Sequence, residues 1–269
     1  MHLKYVLIAG LLLGNCLTLP AYAETGKTTD ADYNGRDYIL YTPQALPTSS
    51  PLLIVLHGGG GNANWMTRHL NMNDMADRYG FKVVYLNGTG TGGLLLNNMR
   101  TWNAGNCCGP ALKTNADDKG YIVGFIQMMV QQAQVDASRI FLTGHSNGAM
   151  MSYRLACEMH GKIAGIVAIS GTVGVDRCNA PGLPILHIHG AQDPNVPVQG
   201  GEGKLRQTKG VHFRSLAENA AIMKAAGANY TLKLVPNAEH KIVSVDEELS
   251  KTTGASLPET IARFLFAPH

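Results

Sequence analysis

One serine of the sequence stands in a pattern that is typical of a nucleophile. Gly144-His145-Ser146-Asn147-Gly148 has the form Gly-x-Ser-x-Gly, follows the apolar run 140–143 and precedes a helix-forming stretch. A strand that reverses into a helix within two residues forces the serine into strained backbone geometry, and only small flanking residues avoid a clash there. The pattern therefore nominates Ser146 as a nucleophile, against the alternative of a glycine-rich turn with an incidental serine.

A serine hydroxyl is a weak nucleophile, and the chain offers it a base and an acid. Asp193 follows the apolar run 185–188, and His240 follows the run 231–235. Ser146 and Asp193 are 47 residues apart, as are Asp193 and His240, which leaves room for a strand-helix-strand step in each interval. The order Ser, Asp, His is that of α/β-hydrolases. We therefore predict that His240 takes the proton of Ser146 and that Asp193 holds His240.

The other acids and histidines fit these roles less well. Asp176 and Asp246 compete with Asp193, but Asp246 lies in an acidic run, Asp246-Glu247-Glu248, of the kind found on solvated helix faces. Four histidines are interpreted as residues at strand ends, and three as surface or packing residues of helices. The first group is His57, His145, His187 and His189, and the second is His69, His160 and His212.

A run of glycines can supply the donors that an ester or amide oxyanion requires. His57-Gly58-Gly59-Gly60-Gly61-Asn62 follows the apolar run 52–56, and without side chains its backbone N–H groups can point into a site. We assign the oxyanion hole to the N–H groups of Gly59 and Asn147, with Gly60 as the alternative to Gly59. A nucleotide-binding loop is disfavoured, because the run lacks the lysine and the Ser/Thr of a P-loop.

The elements that must position these residues alternate along the chain. Apolar runs predict strands at 36–41, 52–56, 82–86, 140–143, 165–169, 185–188 and 231–235, the first of them at an edge. Helical patterns lie at 71–79, 119–134, 148–160, 213–226 and 258–266, and Asp117 or Asp118 is expected to cap the second. This order predicts an α/β fold with a mostly parallel central sheet, helices on both faces and active residues at the carboxyl ends of strands.

The N-terminus has the three regions of a secretory signal peptide. Lys4, the apolar run 5–13 and Ala21-Tyr22-Ala23 are the basic region, the hydrophobic region and the cleavage site. We expect cleavage after Ala23, secretion to the periplasm or the medium, and one catalytic domain at 24–269. A membrane anchor is disfavoured by the short run, and lipidation at Cys16 by Asn15, which stands where a small residue is needed.

Cleavage would leave four cysteines in an oxidising compartment, where disulfides are the default. We favour a bridge between Cys157 and Cys178, with Cys107 and Cys108 either bridged to each other or reduced. A zinc site is disfavoured, because adjacent cysteines lack the spacer that lets two thiolates share a tetrahedral metal.

The charge of the mature chain is close to neutral. With 21 basic and 19 acidic residues its net charge is +2, and no basic stripe is interleaved with aromatic residues. Nucleic acid is therefore excluded as a partner, and no membrane partner is expected after signal cleavage. The 45% of hydrophobic residues is ample for a buried core.

Four motifs resemble the secreted polyhydroxybutyrate depolymerase and feruloyl esterase family of α/β-hydrolases, over about residues 34–266. They are R-T-W-N-x-G-x-C-C-G at 100–109, Asp117-Asp118 before a helix, G-x-S-N-G-A-M-M-S-Y-R-L-A-C-E at 144–158, and L-H-I-H-G-x-x-D-x-x-V-P at 186–197. The resemblance implies the same three catalytic residues. It also implies that Trp102 lines the acyl or aromatic cleft, although a lone tryptophan fits a core position equally well. His145, beside the nucleophile, is our second candidate for substrate binding.

The expected activity is that of a secreted serine carboxylic ester hydrolase acting through an acyl-enzyme, without metal or cofactor. Lys241-Ile242-Val243 stands where many members of the resembling family carry Trp-Pro, which leaves the leaving-group side of the cleft undefined. The chain ends near the last predicted helix, without a polymer-binding domain, so we expect small esters or soluble polyester oligomers as substrates. The alternatives are a serine peptidase of the same fold and a non-catalytic binding protein that kept the fold.

Overall fold

The computed structural model describes residues 26–90, 99–159, 161–204, 208 and 210–267. The predicted signal peptide at 1–23, with Cys16, and also His160, lie outside the described residues. In the described part of the chain, no helix combines the length and the apolar character needed to cross a bilayer.

Eight strands form one sheet, and a two-stranded ribbon lies apart from it. The strands are β1 (Lys27–Tyr33), β2 (Arg36–Thr42), β3 (Ser50–Leu56), β4 (Lys82–Leu86), β5 (Val135–His145), β6 (Gly165–Ile169), β7 (Pro184–Gly190), β8 (Gly201–Glu202), β9 (His212–Phe213) and β10 (Asn229–Val235). The sheet order is β1-β2-β4-β3-β5-β6-β7-β10, and β8 pairs with β9. From β4 to β10 all pairs are parallel, whereas β2 is antiparallel to both β1 and β4.

Eight helices follow the strands in the described residues. They are α1 (Ala63–His69), α2 (Asn73–Tyr79), α3 (Gly109–Lys113), α4 (Asp118–Gln132), α5 (Asn147–Glu158), α6 (Leu216–Ala225), α7 (Ile242–Thr253) and α8 (Leu257–Phe266). Strand β3 shows how they cover the sheet, since all seven of its residues are buried. Leu52, Ile54 and Leu56 pack with residues of α4, α5 and α6, and Leu53 and Val55 pack with α1, α2, α7 and α8. The centre of the sheet is therefore buried on both faces, as a parallel sheet requires.

The predicted fold class is confirmed, with several differences at the level of elements. The strand at 36–41 is not at the edge, because β1 pairs along its whole length, from Lys27 opposite Thr42 to Tyr33 opposite Arg36. Strand β1 was not predicted, since its sequence KTTDADY is polar and mostly exposed and so lacks an apolar alternation. Helices α1, α3 and α7 and the short strands β8 and β9 were also missed. Strand β9 includes the first residue of the helix predicted at 213–226, and that helix begins instead at Leu216. The acidic run 246–248 lies on α7, where Asp246 accepts the N–H of Leu257 at 2.6 Å.

Two disulfides lie in the described residues, and one of them ties a loop to helix α5. Cys157 near the end of α5 is bonded to Cys178 in the loop after β6, with an Sγ–Sγ distance of 2.07 Å, as predicted. Cys107 and Cys108, for which the sequence left two states open, are bonded to each other. The first bridge closes a loop of 21 residues, which by chain entropy alone stabilises the fold by about 3 kcal/mol.

The start of α4 fixes the loop that precedes it. Asp117 caps the helix by accepting the N–H of Gly120 at 2.8 Å, as predicted. Asp118 is fully buried, and its Oδ1 accepts from Arg36 Nη1 at 2.6 Å and from Thr89 Oγ1 at 2.8 Å. Its Oδ2 accepts the N–H of Asn103 at 2.7 Å. One carboxylate therefore ties together strand β2, the loop after β4 and the loop 101–108.

Replacing Asp118 should destabilise the protein far more than replacing an exposed aspartate that forms an ion pair of similar length with an arginine. We expect Asp118→Ala to lower the free energy of unfolding by roughly 3 kcal/mol, because it leaves buried donors and the Arg36 guanidinium without their acceptor. The control is Asp176→Ala, which removes a pair with Arg214 in which the carboxylate is 97% exposed. Urea unfolding should show a lowered midpoint for the first variant and an unchanged midpoint for the second. Equal midpoints would contradict the role given to Asp118.

Candidate active site

Ser146 stands at the sharp turn between β5 and α5. Its backbone has φ 54° and ψ −118°, which lies in the left-handed half of conformational space that a serine rarely adopts. A Cβ at Gly144 would lie 2.5 Å from the backbone carbon of Gly148, and a Cβ at Gly148 would collide with the carbonyl oxygen of Leu56. Both flanking positions of the motif therefore require glycine, as the sequence pattern predicted.

The structure brings together the three residues predicted to form the catalytic group. The hydroxyl of Ser146 donates to Nε2 of His240 at 2.9 Å, and Nδ1–H of His240 donates to Oδ2 of Asp193 at 2.7 Å. Ser146 follows β5, Asp193 follows β7 and His240 follows β10, so all three lie at the carboxyl ends of parallel strands. Asp193 is 5% and His240 7% exposed, which removes most water from both hydrogen bonds.

The carboxylate of Asp193 is held from both sides. Its Oδ1 accepts the N–H groups of Asn195 at 2.8 Å and Val196 at 2.9 Å. Its Oδ2 faces His240, and Nε2 of His189 lies 3.3 Å away from the same oxygen. Burial alone would raise the pKa of Asp193, but the hydrogen bonds from His189 and His240 outweigh it and lower the pKa below its ordinary value. The geometry thus stabilises an ionised acid beside His240.

Two residues that line the site, among those the structure describes, have backbone N–H groups for which no hydrogen-bond acceptor is found and which suit an oxyanion. They are Gly59 and Asn147, the first residue of α5, whose N–H cannot bond within its helix. A Cβ at Gly59 would lie 3.8 Å from Cβ of Asn147, so the two residues are neighbours across the site. Gly60 instead donates its N–H to the carbonyl of Arg100 at 2.8 Å. Of the two glycines considered from the sequence, only Gly59 therefore has a donor to offer.

The prediction that Trp102 lines the cleft is wrong. Its side chain is fully buried, and Nε1–H donates to the carbonyl of His57 at 3.0 Å. Its backbone N–H and C=O pair with the side-chain amide of Asn147 at 2.7 and 2.9 Å. The core position that the sequence left open is the observed one, because the Trp102 side chain is covered by the turn at Ser146, while Thr101 and Cys108 of the same loop line the cavity.

His145 lies in the cavity wall, and its Nε2 bonds to protein. Its Nε2 lies 2.7 Å from the carbonyl oxygen of His240, which can only accept, so this nitrogen carries the proton. Burial lowers the pKa of His145 to about 3. The neutral ring therefore fixes the backbone of His240, while one of its faces borders the cavity.

A cavity of ≈ 450 Å³ opens in front of Ser146, and none of the described residues that line it is an acid, a lysine or an arginine. The lining residues are Gly58, Gly59, Gly60, Gly61, Trp65, Met99, Thr101, Cys108, Gly109, Pro110, His145, Ser146, Asn147, Thr208 and His240. The aromatic surface is Trp65 on α1, whose ring stacks on His69 with centroids 4.1 Å apart and planes 11° apart. Trp65 was not predicted to line the cavity, because helix α1 was not predicted. The signal was Asn62, which caps α1 by accepting the N–H of Trp65 at 2.8 Å.

Comparison with known proteins gives the chain a family. The model of the phospholipase/carboxylesterase family matches residues 44–246, which is more than half of the sequence. The chain belongs to this family. The phospholipase/carboxylesterase match includes Ser146, Asp193 and His240.

Two curated relatives and one solved structure are similar to this member of the phospholipase/carboxylesterase family. A bifunctional acetylxylan esterase/xylanase from Neocallimastix patriciarum is 31% identical over 207 residues, 76% of this chain and 27% of that protein. Feruloyl esterase C from Emericella nidulans is 32% identical over 172 residues, 62% of this chain and 58% of that protein. The chain thus spans 27% of the length of the first relative and 58% of the length of the second. A Bacillus cereus carboxylesterase structure has a TM-score of 0.54 at 18% identity, covers 82% of this chain and 95% of its own, and shares the fold.

The site and its surroundings hold several neutral histidines. Burial lowers the pKa of His57 to about 4, of His145 to about 3, and of His187 well below its ordinary value. Nε2 of His57 accepts the N–H of Gly88 at 3.0 Å, so its Nδ1–H donates to the carbonyl of Gly58 at 2.8 Å. Within the described residues, no group of three or more His, Cys, Asp or Glu side chains is arranged to hold a metal ion.

These depressed pKa values make stability depend on pH. Below about pH 6.5 the unfolded chain binds protons at these histidines and the native state does not, so the free energy of unfolding should fall as the pH is lowered towards 4. Each histidine contributes a slope of about 1.4 kcal/mol per pH unit within that window. Urea unfolding at several pH values measures the slope. His57→Gln should reduce the slope by the amount that corresponds to one bound proton, about 1.4 kcal/mol per pH unit. A stability that is constant between pH 6.5 and 5 would contradict the neutral assignment.

Proposed function

We propose that this protein is a serine ester hydrolase that works through an acyl-enzyme. The observation that carries the proposal is the continuous hydrogen-bonded series from the Ser146 hydroxyl through His240 to Asp193, at 2.9 and 2.7 Å, at the floor of a cavity. A strained serine with a base and an oriented acid is the arrangement that activates a hydroxyl for attack on a carbonyl. Membership of the phospholipase/carboxylesterase family supports ester rather than peptide substrates.

In the proposed first half-reaction, Oγ of Ser146 attacks the ester carbonyl carbon while Nε2 of His240 takes its proton. The N–H groups of Gly59 and Asn147 bind the oxyanion that forms, and each such donor stabilises the transition state by about 3 kcal/mol. Asp193 stabilises the imidazolium of His240. The alcohol then leaves with the proton from Nε2, which gives the acyl-enzyme.

In the second half-reaction, water takes the place of the alcohol. His240 removes a proton from the water, whose oxygen attacks the acyl carbonyl, and the same two N–H groups bind the second oxyanion. Ser146 recovers its proton from Nε2 as the carboxylic acid departs. Every step uses groups of this chain, and the neutral ring of His145 keeps the backbone of His240 in place throughout.

The lining of the cavity supports a small, uncharged ester as substrate. Trp65 offers a flat aromatic face, and Met99 and Pro110 add apolar surface. We propose an aromatic acyl group of the hydroxycinnamoyl type, in agreement with the name of the relative from Emericella nidulans. Soluble hydroxybutyrate oligomers, the other acyl chemistry implied by the sequence motifs, are the alternative to be compared directly.

We also propose that the enzyme works outside the cytoplasm. The support is the signal-peptide pattern at 1–23 together with the two disulfides, Cys107 to Cys108 and Cys157 to Cys178. Disulfides persist in secreted and periplasmic proteins and are rare where thiols are kept reduced.

Ser146→Ala tests the proposed chemistry. Initial rates on p-nitrophenyl acetate, methyl ferulate and soluble 3-hydroxybutyrate oligomers should fall by about 10⁴-fold or more in the variant, because the acyl-enzyme can no longer form. The wild-type protein should be labelled by a fluorophosphonate probe, and the variant should not. Full esterase activity of a clean Ser146→Ala preparation would overturn the proposal, and activity on peptides without activity on esters would favour the peptidase.

Trp65→Ala tests the aromatic acyl site. The KM for methyl ferulate should rise about 2- to 10-fold, the range of one stacking contact, while the KM for p-nitrophenyl acetate stays unchanged. Trp65→Phe is the matched control and should retain most of the affinity. A change of equal size for both esters would show that Trp65 acts on the fold of the site rather than on the acyl group.

A further inference from the structure

A series of buried polar side chains continues behind Asp193, and the chemistry proposed above uses none of them. His187 and His189 lie on β7 and are fully buried, as is Asn219 on α6. Tyr230 on β10 is half-buried at the far end of the series. Burying so many polar groups is costly unless each has a partner of the right kind, so their hydrogen bonds can be read as a set of constraints.

Backbone groups fix both ends of the series. At one end, the N–H of Val173 donates to Oδ1 of Asn219 at 2.7 Å, so the amide nitrogen of Asn219 must face the other way. That nitrogen lies 3.2 Å from the hydroxyl oxygen of Tyr230 and 3.4 Å from Nδ1 of His187. At the other end, Nε2 of His189 lies 2.9 Å from the carbonyl oxygen of Val196. A carbonyl can only accept, so this nitrogen carries a proton.

The proton positions between the two ends follow from these constraints. Burial keeps His187 neutral by lowering its pKa, so one ring nitrogen donates and the other accepts. Nδ1 of His187 faces an amide N–H and the hydroxyl of Tyr230 at 2.8 Å, and is the acceptor. Nε2–H of His187 then donates to Nδ1 of His189 at 3.0 Å. The result agrees with the proton on Nε2 of His189 that Val196 requires.

We propose that His189 is a positioning residue for Asp193, and that His187 and Tyr230 hold it in the tautomer this role requires. The proposal rests on the proposed function, because it assigns a partner to the acid of the catalytic group. Tyr230 and His187 donate in the direction of His189, whose Nε2 lies 2.9 Å from the carbonyl oxygen of Val196 and 3.3 Å from Oδ2 of Asp193. Donors aligned in one direction polarise one another and strengthen the last contact.

His189 acts on Asp193 in two ways. Its Nε2 lies 3.3 Å from Oδ2, the oxygen that also accepts from His240, and the N–H is shared between this oxygen and the nearer carbonyl of Val196. His189 also donates to the carbonyl oxygen of Val196. The backbone N–H of Val196 in turn donates to Oδ1 of Asp193 at 2.9 Å. The carboxylate is thereby fixed in rotation, and rotation of Asp193 would break the alignment of His240 with Ser146. The expected consequence is a loss in kcat rather than in substrate binding.

Two variants of His189 separate this role from packing. His189→Leu fills the space without a donor. It should lower kcat by about 10- to 100-fold, the range known for hydrogen-bond partners that orient metal-ligating side chains. His189→Gln can place an N–H donor near the position of Nε2 and should recover most of kcat. KM on the same ester should stay within about twofold of wild type in both. The low-field proton resonance of the His240 to Asp193 hydrogen bond should vanish in His189→Leu and persist in His189→Gln.

The controls make each outcome decisive. His212→Gln, at an exposed position on β9, should leave kcat unchanged. A folded His189→Leu variant with wild-type kcat would overturn the positioning role, and so would equal losses in both variants with the resonance intact. If His189→Leu does not fold, Tyr230→Phe decides: a loss in kcat of about fivefold, the value of one hydrogen bond, at unchanged KM supports the proposal, and unchanged kcat overturns it. Activity retained in Ser146→Ala would instead overturn the serine chemistry itself.

Discussion

The backbone strain at Ser146 is the constraint on which the remaining site geometry depends. A serine with φ 54° costs free energy of the order of 1 to 3 kcal/mol, and it persists because neighbours on every side prevent relaxation. Its N–H donates to the carbonyl of Ile169 at 2.8 Å, which ties the turn to β6. Gly148 lies directly against the carbonyl oxygen of Leu56, which ties the start of α5 to β3. The parallel strands β3, β5 and β6 thus hold Ser146 in a backbone conformation that is unfavourable for an isolated serine.

The strain has a chemical use, because the turn presents two groups at once. The hydroxyl of Ser146 points at His240, and the N–H of Asn147 is left free at the first turn of α5. The side chain of the same Asn147 pairs with both backbone groups of Trp102 and so anchors the loop 101–108 beneath the site. A single pentapeptide therefore supplies the proposed nucleophile, one proposed oxyanion donor and the support for one wall of the cavity.

The sequence predicted the parts of the fold that depend on local pattern. Strands β4 and β6 were predicted with their observed bounds, because each is a short apolar run buried on both faces. The three residues of the catalytic group could be chosen because each follows such a run. Strand β1 could not be predicted, since its stability comes from pairing with β2 and from no apolar face of its own.

The roles of single aromatic residues were harder to predict, because they depend on where loops fold. Trp102 and Trp65 are the two tryptophans of the chain, and only the tertiary structure shows which is covered by the turn at Ser146 and which borders the cavity. The same holds for His187 and His189. They were interpreted as residues at strand ends, and their alignment with Asp193 arises from the packing of α6 and β10 against β7.

His145 has a consequence for how such a site can change over evolution. His145, next to Ser146, donates to the backbone carbonyl of His240. A residue of the pentapeptide therefore helps to set the distance between Ser146 and His240. The loop 236–241 need not be rigid on its own account to deliver the imidazole correctly. A chain with an apolar residue at position 145 would lack this hydrogen bond, and other contacts would have to hold the carbonyl of His240 in place.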